Sequence, residues 1–120
     1  MTGAAYIADG GGVERITLDG ALSTTSGTSP ITSTAITVTV PPSNSGTLAF
    51  SSVLTDSVTP QYKKNSGSFT NITEGLTVVF ANGDTITVRA TLPISGNTAT
   101  FNVTDNDTGH LLEAVSLVKT

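Results

Sequence analysis

The chain has no cysteine and no tryptophan, a single histidine, and only five basic residues in 120. Without cysteine there is no disulfide, no thiolate nucleophile and no thiolate-bound zinc. The basic residues are Arg15, Lys63, Lys64, Arg89 and Lys119, and only Lys63 and Lys64 are adjacent. Net charge is −4. A nucleic-acid groove needs clustered positive charge, so nucleic acid is not an expected partner. No apolar run reaches about 18 residues, so no membrane-spanning helix is expected and no membrane partner follows. The opening "MTGAAYIADGGG" lacks a basic start and a long apolar stretch, so it does not read as a secretory signal. Synthesis in a cytoplasm is expected. The N-x-T sequons at Asn71, Asn102 and Asn106 then carry no glycosylation role.

What the chain has in excess is hydroxyl. Threonine and serine number 23 and 13, together 36 of 120 residues. Threonine suits the wet face of a strand, where its β-branch favours extended backbone and its hydroxyl stays solvated. The length suits one domain with its own core. Residues 1–12, with "ADGGG" at Ala8 to Gly12, offer little side chain for packing and are expected to form a flexible N-terminal arm. Residues 13–120 are expected to form the folded domain.

Strand periodicity runs through that domain. Val13, Ile16 and Leu18 mark a short strand. "LSTTSGTSPITST", Leu22 to Thr34, is turn-rich and reads as a long surface loop. Ile36, Val38 and Val40 alternate with threonines until Pro41-Pro42, which cannot supply ladder N–H groups. Leu48, Phe50 and Val53 mark the next strand. "PQYKKNSGSF" reads as a hairpin with Tyr62 and Phe69 on its arms and Asn65-Ser66-Gly67 at its tip. "LTVVFANGDTITVRATL" reads as a second hairpin, turning at Asn82-Gly83, where glycine accepts the positive φ that such turns demand. Ile86, Val88 and Ala90 then face a core, and Arg89 lies along the outer sheet or pairs with a neighbouring acid. Ala99, Phe101 and Val103 share one face after a turn at Ser95-Gly96-Asn97. "DNDTGH" is a turn, and "LLEAVSLVK" is the last strand. No window shows a 3.6-residue period. The pattern predicts an all-β chain of about eight short antiparallel strands in a two-sheet sandwich, with a small closed barrel as the other architecture. The predicted core is Ile36, Val38, Leu48, Phe50, Tyr62, Val78, Phe80, Ile86, Val88, Phe101, Val103, Val115 and Leu117.

Catalytic patterns are weak. His110 is the only histidine and sits in a turn. A serine hydrolase would need an ordered serine beside it and an oxyanion hole, and there is no G-x-S-x-G. Asp105 and Asp107 are spaced like the start of a calcium loop, but position 6 is His110 and position 12 is Ser116, where glycine and glutamate are required. An Asx-rich turn explains them as well. The acids Asp9, Glu14, Asp19, Asp56, Glu74, Asp84, Asp105, Asp107 and Glu113 lie mostly in or beside turns, where solvated charges sit, so no glycosidase carboxylate pair stands out. Gly10-Gly11-Gly12 is no phosphate loop, because no Lys-Ser/Thr follows. The expectation is a non-enzyme with no catalytic, cofactor-binding or metal residues and no cofactor. For a sugar, Tyr6, Tyr62 and Phe69 are the platform candidates, with Tyr62 more suited to the core.

From Gln61 to about Asp105 the chain resembles the immunoglobulin-like β-sandwich modules of bacterial surface and phage virion proteins. The matching residues are Tyr62, Asn65 and Gly67; Asn82, Gly83, Asp84 and Thr85; Thr87, Val88 and Arg89; and Thr98, Ala99 and Thr100. Where the family often has tryptophan after the hairpin tip, this chain has Phe69. The first 60 residues carry no matching motif. The resemblance implies an immunoglobulin-like sandwich and a structural virion protein, made in the host cytoplasm. That protein would decorate a phage capsid, contact the major capsid protein or another virion protein, and form a homo-oligomer on the shell. The alternative it implies is a module binding glycans or a host surface.

Overall fold

The computed structural model describes residues 15–56 and 58–120. The expected N-terminal arm, Val13 and Tyr6 lie outside the described residues. The described chain is all-β, with eleven strands in two sheets. In chain order they are β1 (Thr17–Leu18), β2 (Thr24–Ser26), β3 (Ile31–Thr32), β4 (Ile36–Thr39), β5 (Thr47–Thr55), β6 (Gln61–Lys64), β7 (Thr70–Asn71), β8 (Thr77–Val79), β9 (Thr85–Ala90), β10 (Thr98–Asp105) and β11 (Leu111–Lys119). One sheet runs β1-β4-β9-β6-β7, with β3 also on β9; the other runs β2-β11-β10-β5-β8. The excess over eight comes from two- and three-residue pieces too short for alternation to reveal.

The sheets face each other because their strands alternate. Along β10 the odd residues Ala99, Phe101, Val103 and Asp105 are buried and the even residues half-buried. Ile36, Val38, Ile86 and Val88 come from the first sheet, and Leu48, Phe50, Phe101, Val115 and Leu117 from the second. Phe50 joins the layers: its ring stacks on Tyr62 at 5.7 Å and meets the edge of Phe101 at 5.9 Å. Every predicted core residue is buried, except that Tyr62 and Val78 are partly buried against the cluster. Ala90 is buried as its strand face implied, and Ile16, Leu22, Ile31, Ile72, Leu92 and Ala99 join that core beyond the predicted set.

Two expectations are corrected. Leu22 to Thr34 is no surface loop. Leu22 and Ile31 are fully buried, β2 runs parallel to β11 (Leu117↔Thr24, Val118↔Thr25), and β3 pairs with β9. Between β3 and β4 the ladder is carried by a side chain: Ser33 N–H donates to the Val88 carbonyl at 2.9 Å, and Val88 N–H donates to Ser33 Oγ at 3.0 Å.

The second correction concerns Asn82-Gly83. β8 pairs with β5 in one sheet and β9 belongs to the other, so the turn moves the chain between sheets instead of closing a hairpin. Of the two turn residues only Gly83 has positive φ, +91°, whereas a two-residue type I′ hairpin needs it at both. Asn82 is used differently: its Oδ1 accepts the Val40 N–H at 2.9 Å and ties the turn to β4's end. The Tyr62–Phe69 hairpin forms as expected, with β6 on β7, Asn65 at φ +55° and a Gly67 N–H to Lys64 carbonyl bond of 3.1 Å.

Candidate binding face

The acids divide from the bases in what they do. All seven acids among the described residues accept hydrogen bonds from the chain, and six accept from backbone N–H groups. Glu113, on β11, takes Leu22 N–H at 2.8 Å and Ser23 N–H at 3.1 Å, where the backbone leading into β2 has not yet joined the ladder. Glu74 takes Ser52 and Val53 N–H at 3.1 and 3.0 Å. Those donors are released by a bulge in β5: Thr100 opposes Leu54 but Asn102 opposes Ser51, and Ser52 sits at φ +53°. Asp56 takes Thr98 N–H at 2.7 Å. Asp19 accepts only the Thr39 hydroxyl, at 3.4 Å. Asp19, Asp56, Glu74 and Asp107 are exposed, as turn charges are expected to be, and six of the seven also do more. They hold backbone donors that the ladders leave over.

Asp105 and Asp107 belong to this set. Asp105 is fully buried. Its Oδ2 accepts Ile16 N–H at 3.3 Å and Asn44 Nδ2–H at 2.8 Å, and its Oδ1 accepts Asp107 N–H at 2.9 Å, which is an Asx turn. Asp107 accepts Ser45 N–H at 2.8 Å and Ser45 Oγ–H at 2.9 Å. These two Ser45 bonds, backbone first, hold the Asp107 carboxyl below the usual carboxylate range. Asp84 is lowered likewise, chiefly by Ala81 N–H, then by the Asn65 amide and the Lys64 charge. No group of three metal-ligating side chains occurs among the described residues.

His110 is exposed in the β10–β11 turn, where its N–H donates to Thr108 Oγ1 at 3.2 Å. Its Nε2 lies 3.5 Å from Arg15 Nη1. With Ile16, Leu18, Leu111 and Leu112 it borders an open cavity of about 250 Å³. No serine hydroxyl meets the ring among the described residues, so the geometry offers no Ser-His pair.

Among the bases, Lys64 Nζ donates to the Val79 carbonyl at 3.0 Å and Lys119 Nζ to the Gly27 carbonyl at 2.7 Å, whereas Lys63 and Arg89 come together on one face. β6 alternates: Tyr62 turns inward to Phe50, so Gln61 and Lys63 turn outward. β9 places Arg89 opposite Gln61 and Thr87 opposite Lys63. β7 places Asn71 opposite Gln61, and Phe69 follows one step beyond the Tyr62↔Thr70 pair, beside Lys63. All six side chains therefore share the outer face of one sheet. Arg89 crosses β6 to lay its guanidinium over the Phe69 ring, Cζ 3.8 Å from the centroid, and Lys63 Nζ stands 5.2 Å from the same centroid. Arg89 Nε–H donates to Gln61 Oε1 at 2.9 Å, and Gln61 Nε2–H donates to Asn71 Oδ1 at 3.0 Å. Neither Lys63 nor Arg89 meets a carboxylate among the described residues.

Sequence reasoning named Phe69 and put Arg89 on the outer sheet, where it lies. It missed Gln61, Lys63 and Asn71. The signal was present: once Tyr62 is inward its neighbours are outward, and the hairpin sets Phe69 beside Lys63. Of the sugar-platform candidates, Tyr62 is in the core and Phe69 is covered on one side by Arg89. What the fold and this face define is a two-sheet β-sandwich with one cation-and-aromatic outer surface. No family model, curated protein or solved structure matches the chain.

Proposed function

We propose that the chain is a structural virion protein that decorates a phage capsid, binding the shell's outer surface and stabilising it. The observation that carries this is the division of charged groups. Six of the seven described acids are engaged in holding backbone, while two cations, Lys63 and Arg89, and an aromatic ring are laid out on an outer sheet face suited to adhesion. The order β1-β4-β9-β6 against β11-β10-β5 supports an immunoglobulin-like sandwich, because constant-type domains of that class divide seven strands in the same four-and-three way. As a decoration protein it would contact the major capsid protein, or another virion protein, as a homo-oligomer, and it would be made in the host cytoplasm.

Mixing with purified undecorated capsids tests this. Co-sedimentation, with a higher temperature of shell rupture, is expected. Absence of both would overturn the reading. The alternative of a glycan- or host-surface-binding module rests, among the described residues, on Phe69. A sugar stacking on the covered side of that ring would have to displace the Arg89 guanidinium.

A further inference from the structure

We infer that the outer face built by Gln61, Lys63, Phe69, Asn71 and Arg89 is a binding site for carboxylate side chains of an acidic protein partner. The inference goes beyond the decoration reading and stands without it, because it concerns what this face recognises, whatever particle carries the partner.

The argument starts from the missing counter-charge. In a chain of net charge −4, two cations share one sheet face and neither meets a carboxylate among the described residues. The seven described acids are committed elsewhere, to backbone donors or, for Asp19, to a hydroxyl. The face is therefore complementary to an acid from outside.

The second point is order. An arginine side chain loses much conformational freedom when it binds, and here much of that loss has already occurred. The Asn71–Gln61–Arg89 relay holds the guanidinium through Nε, and the Phe69 ring supports it from one side, Cζ 3.8 Å from the centroid. The two terminal NH2 groups have no acceptor among the described residues, and their spacing fits both oxygens of one carboxylate. Lys63 supplies a second donor beside the same ring for a further acid.

The third point is what the face disfavours. A sugar stacks on a bare aromatic face, and the guanidinium covers one side of this ring. A nucleic-acid strand presents phosphate after phosphate, and two cations on a net-negative chain do not track it. Ordered arginine over an aromatic ring is instead the composition of protein–protein contact centres.

The test is an NMR titration of the whole chain with a synthetic peptide of alternating aspartate and glutamate. Its asparagine–glutamine counterpart and a heparin hexasaccharide are titrated in parallel. The acidic peptide is expected to shift the Arg89 Nε–H and the Lys63 and Thr87 amide signals, and the amide peptide to shift none. Arg89→Gln is expected to weaken binding about tenfold or more. Because Arg89 also holds Gln61 through Nε, Lys63→Gln, which breaks no such bond, is measured beside it, and each spectrum outside this face is required to match the parent. Phe69→Leu keeps both charges and removes only the support under the guanidinium, so a several-fold loss is expected, which mere charge attraction would not give. No shift at this face, shifts centred elsewhere, or unchanged affinity in both Arg89→Gln and Lys63→Gln overturns the inference. Binding of the hexasaccharide but not the peptide overturns it too, in favour of a sulfated glycan.

Discussion

In the five-stranded sheet the carboxylates turn back on the chain, whereas in the six-stranded sheet Lys63 and Arg89 turn away from the core. Glu113 on β11, Asp107 in the turn after β10, and Glu74 and Asp56 bonded to β5 and β10 serve the first of these sheets, and Asp105 at the end of β10 ties it to Ile16, just before β1. Lys63, Lys64 and Arg89 lie on the second. The outward residues of β10 in the carboxylate sheet are Thr98, Thr100, Asn102 and Thr104, with no charge among them. Their counterparts on the cation sheet are Gln61, Lys63, Thr87 and Arg89. The bases divide in turn: Lys64 Nζ donates to the Val79 carbonyl at 3.0 Å and Lys119 Nζ to the Gly27 carbonyl at 2.7 Å, which leaves Lys63 and Arg89 for a partner. The comparison separates acids that stability requires from these two bases, which it does not.

The comparison fails outright if the layers come apart. Phe50→Ala removes the ring that touches both Tyr62 and Phe101, and a loss of about 3–5 kcal/mol is expected in urea unfolding. Asp105→Ala strikes the end of β10 and its tie to Ile16, just before β1 in the other sheet. It leaves the Ile16 and Asp107 N–H groups without their acceptor in a buried site, with an expected cost of about 2–3 kcal/mol by the same measurement. Glu113→Ala releases the Leu22 and Ser23 N–H groups at a partly exposed edge. About 1–2 kcal/mol is expected, with faster hydrogen exchange at those two amides while the Lys63–Arg89 face keeps its chemical shifts.

Acid sharpens the comparison further. Asp84 and Asp107 have folded-state pKa values below the unfolded value near 3.8, so their contribution is fully present above that pH. It is lost as pH falls through the lower folded values. Carboxyl-carbon NMR is expected to show both groups titrating below 3.8, and Asp107→Asn to flatten the acid limb of the stability curve. The smallest effect is expected on the other sheet: Lys63→Gln should move unfolding stability by less than about 0.5 kcal/mol. A larger cost there would mean that the cations also hold the fold.

The alternation that made the core legible is strongest in the longest strands. β5, β10 and β11 could be read from Leu48 and Phe50, from Phe101 and Val103, and from Val115 and Leu117. Leu22 to Thr34 was misread because its burial depends on partners far along the chain. Leu22 is held by Glu113 and Thr24 pairs with Leu117, and neither relation leaves a local period. Asn82-Gly83 was read as a hairpin because the turn chemistry is local, while the choice of sheet on either side is not. The binding face was half legible for the same reason. Phe69 and Arg89 each announced an outward position, but their contact spans β6 and requires the β9–β6–β7 register.

The parallel pairing of Thr24–Ser26 with Leu117–Lys119 also has a mechanical consequence. Two strands that point the same way have their opposite termini at opposite ends of the shared ladder. Tension between Thr24 and Lys119 therefore slides one strand along the other and loads every bond between them together. Antiparallel strands pulled apart from one end would release their bonds in turn. In this molecule the segment that looked most like slack is the one placed to resist stretching.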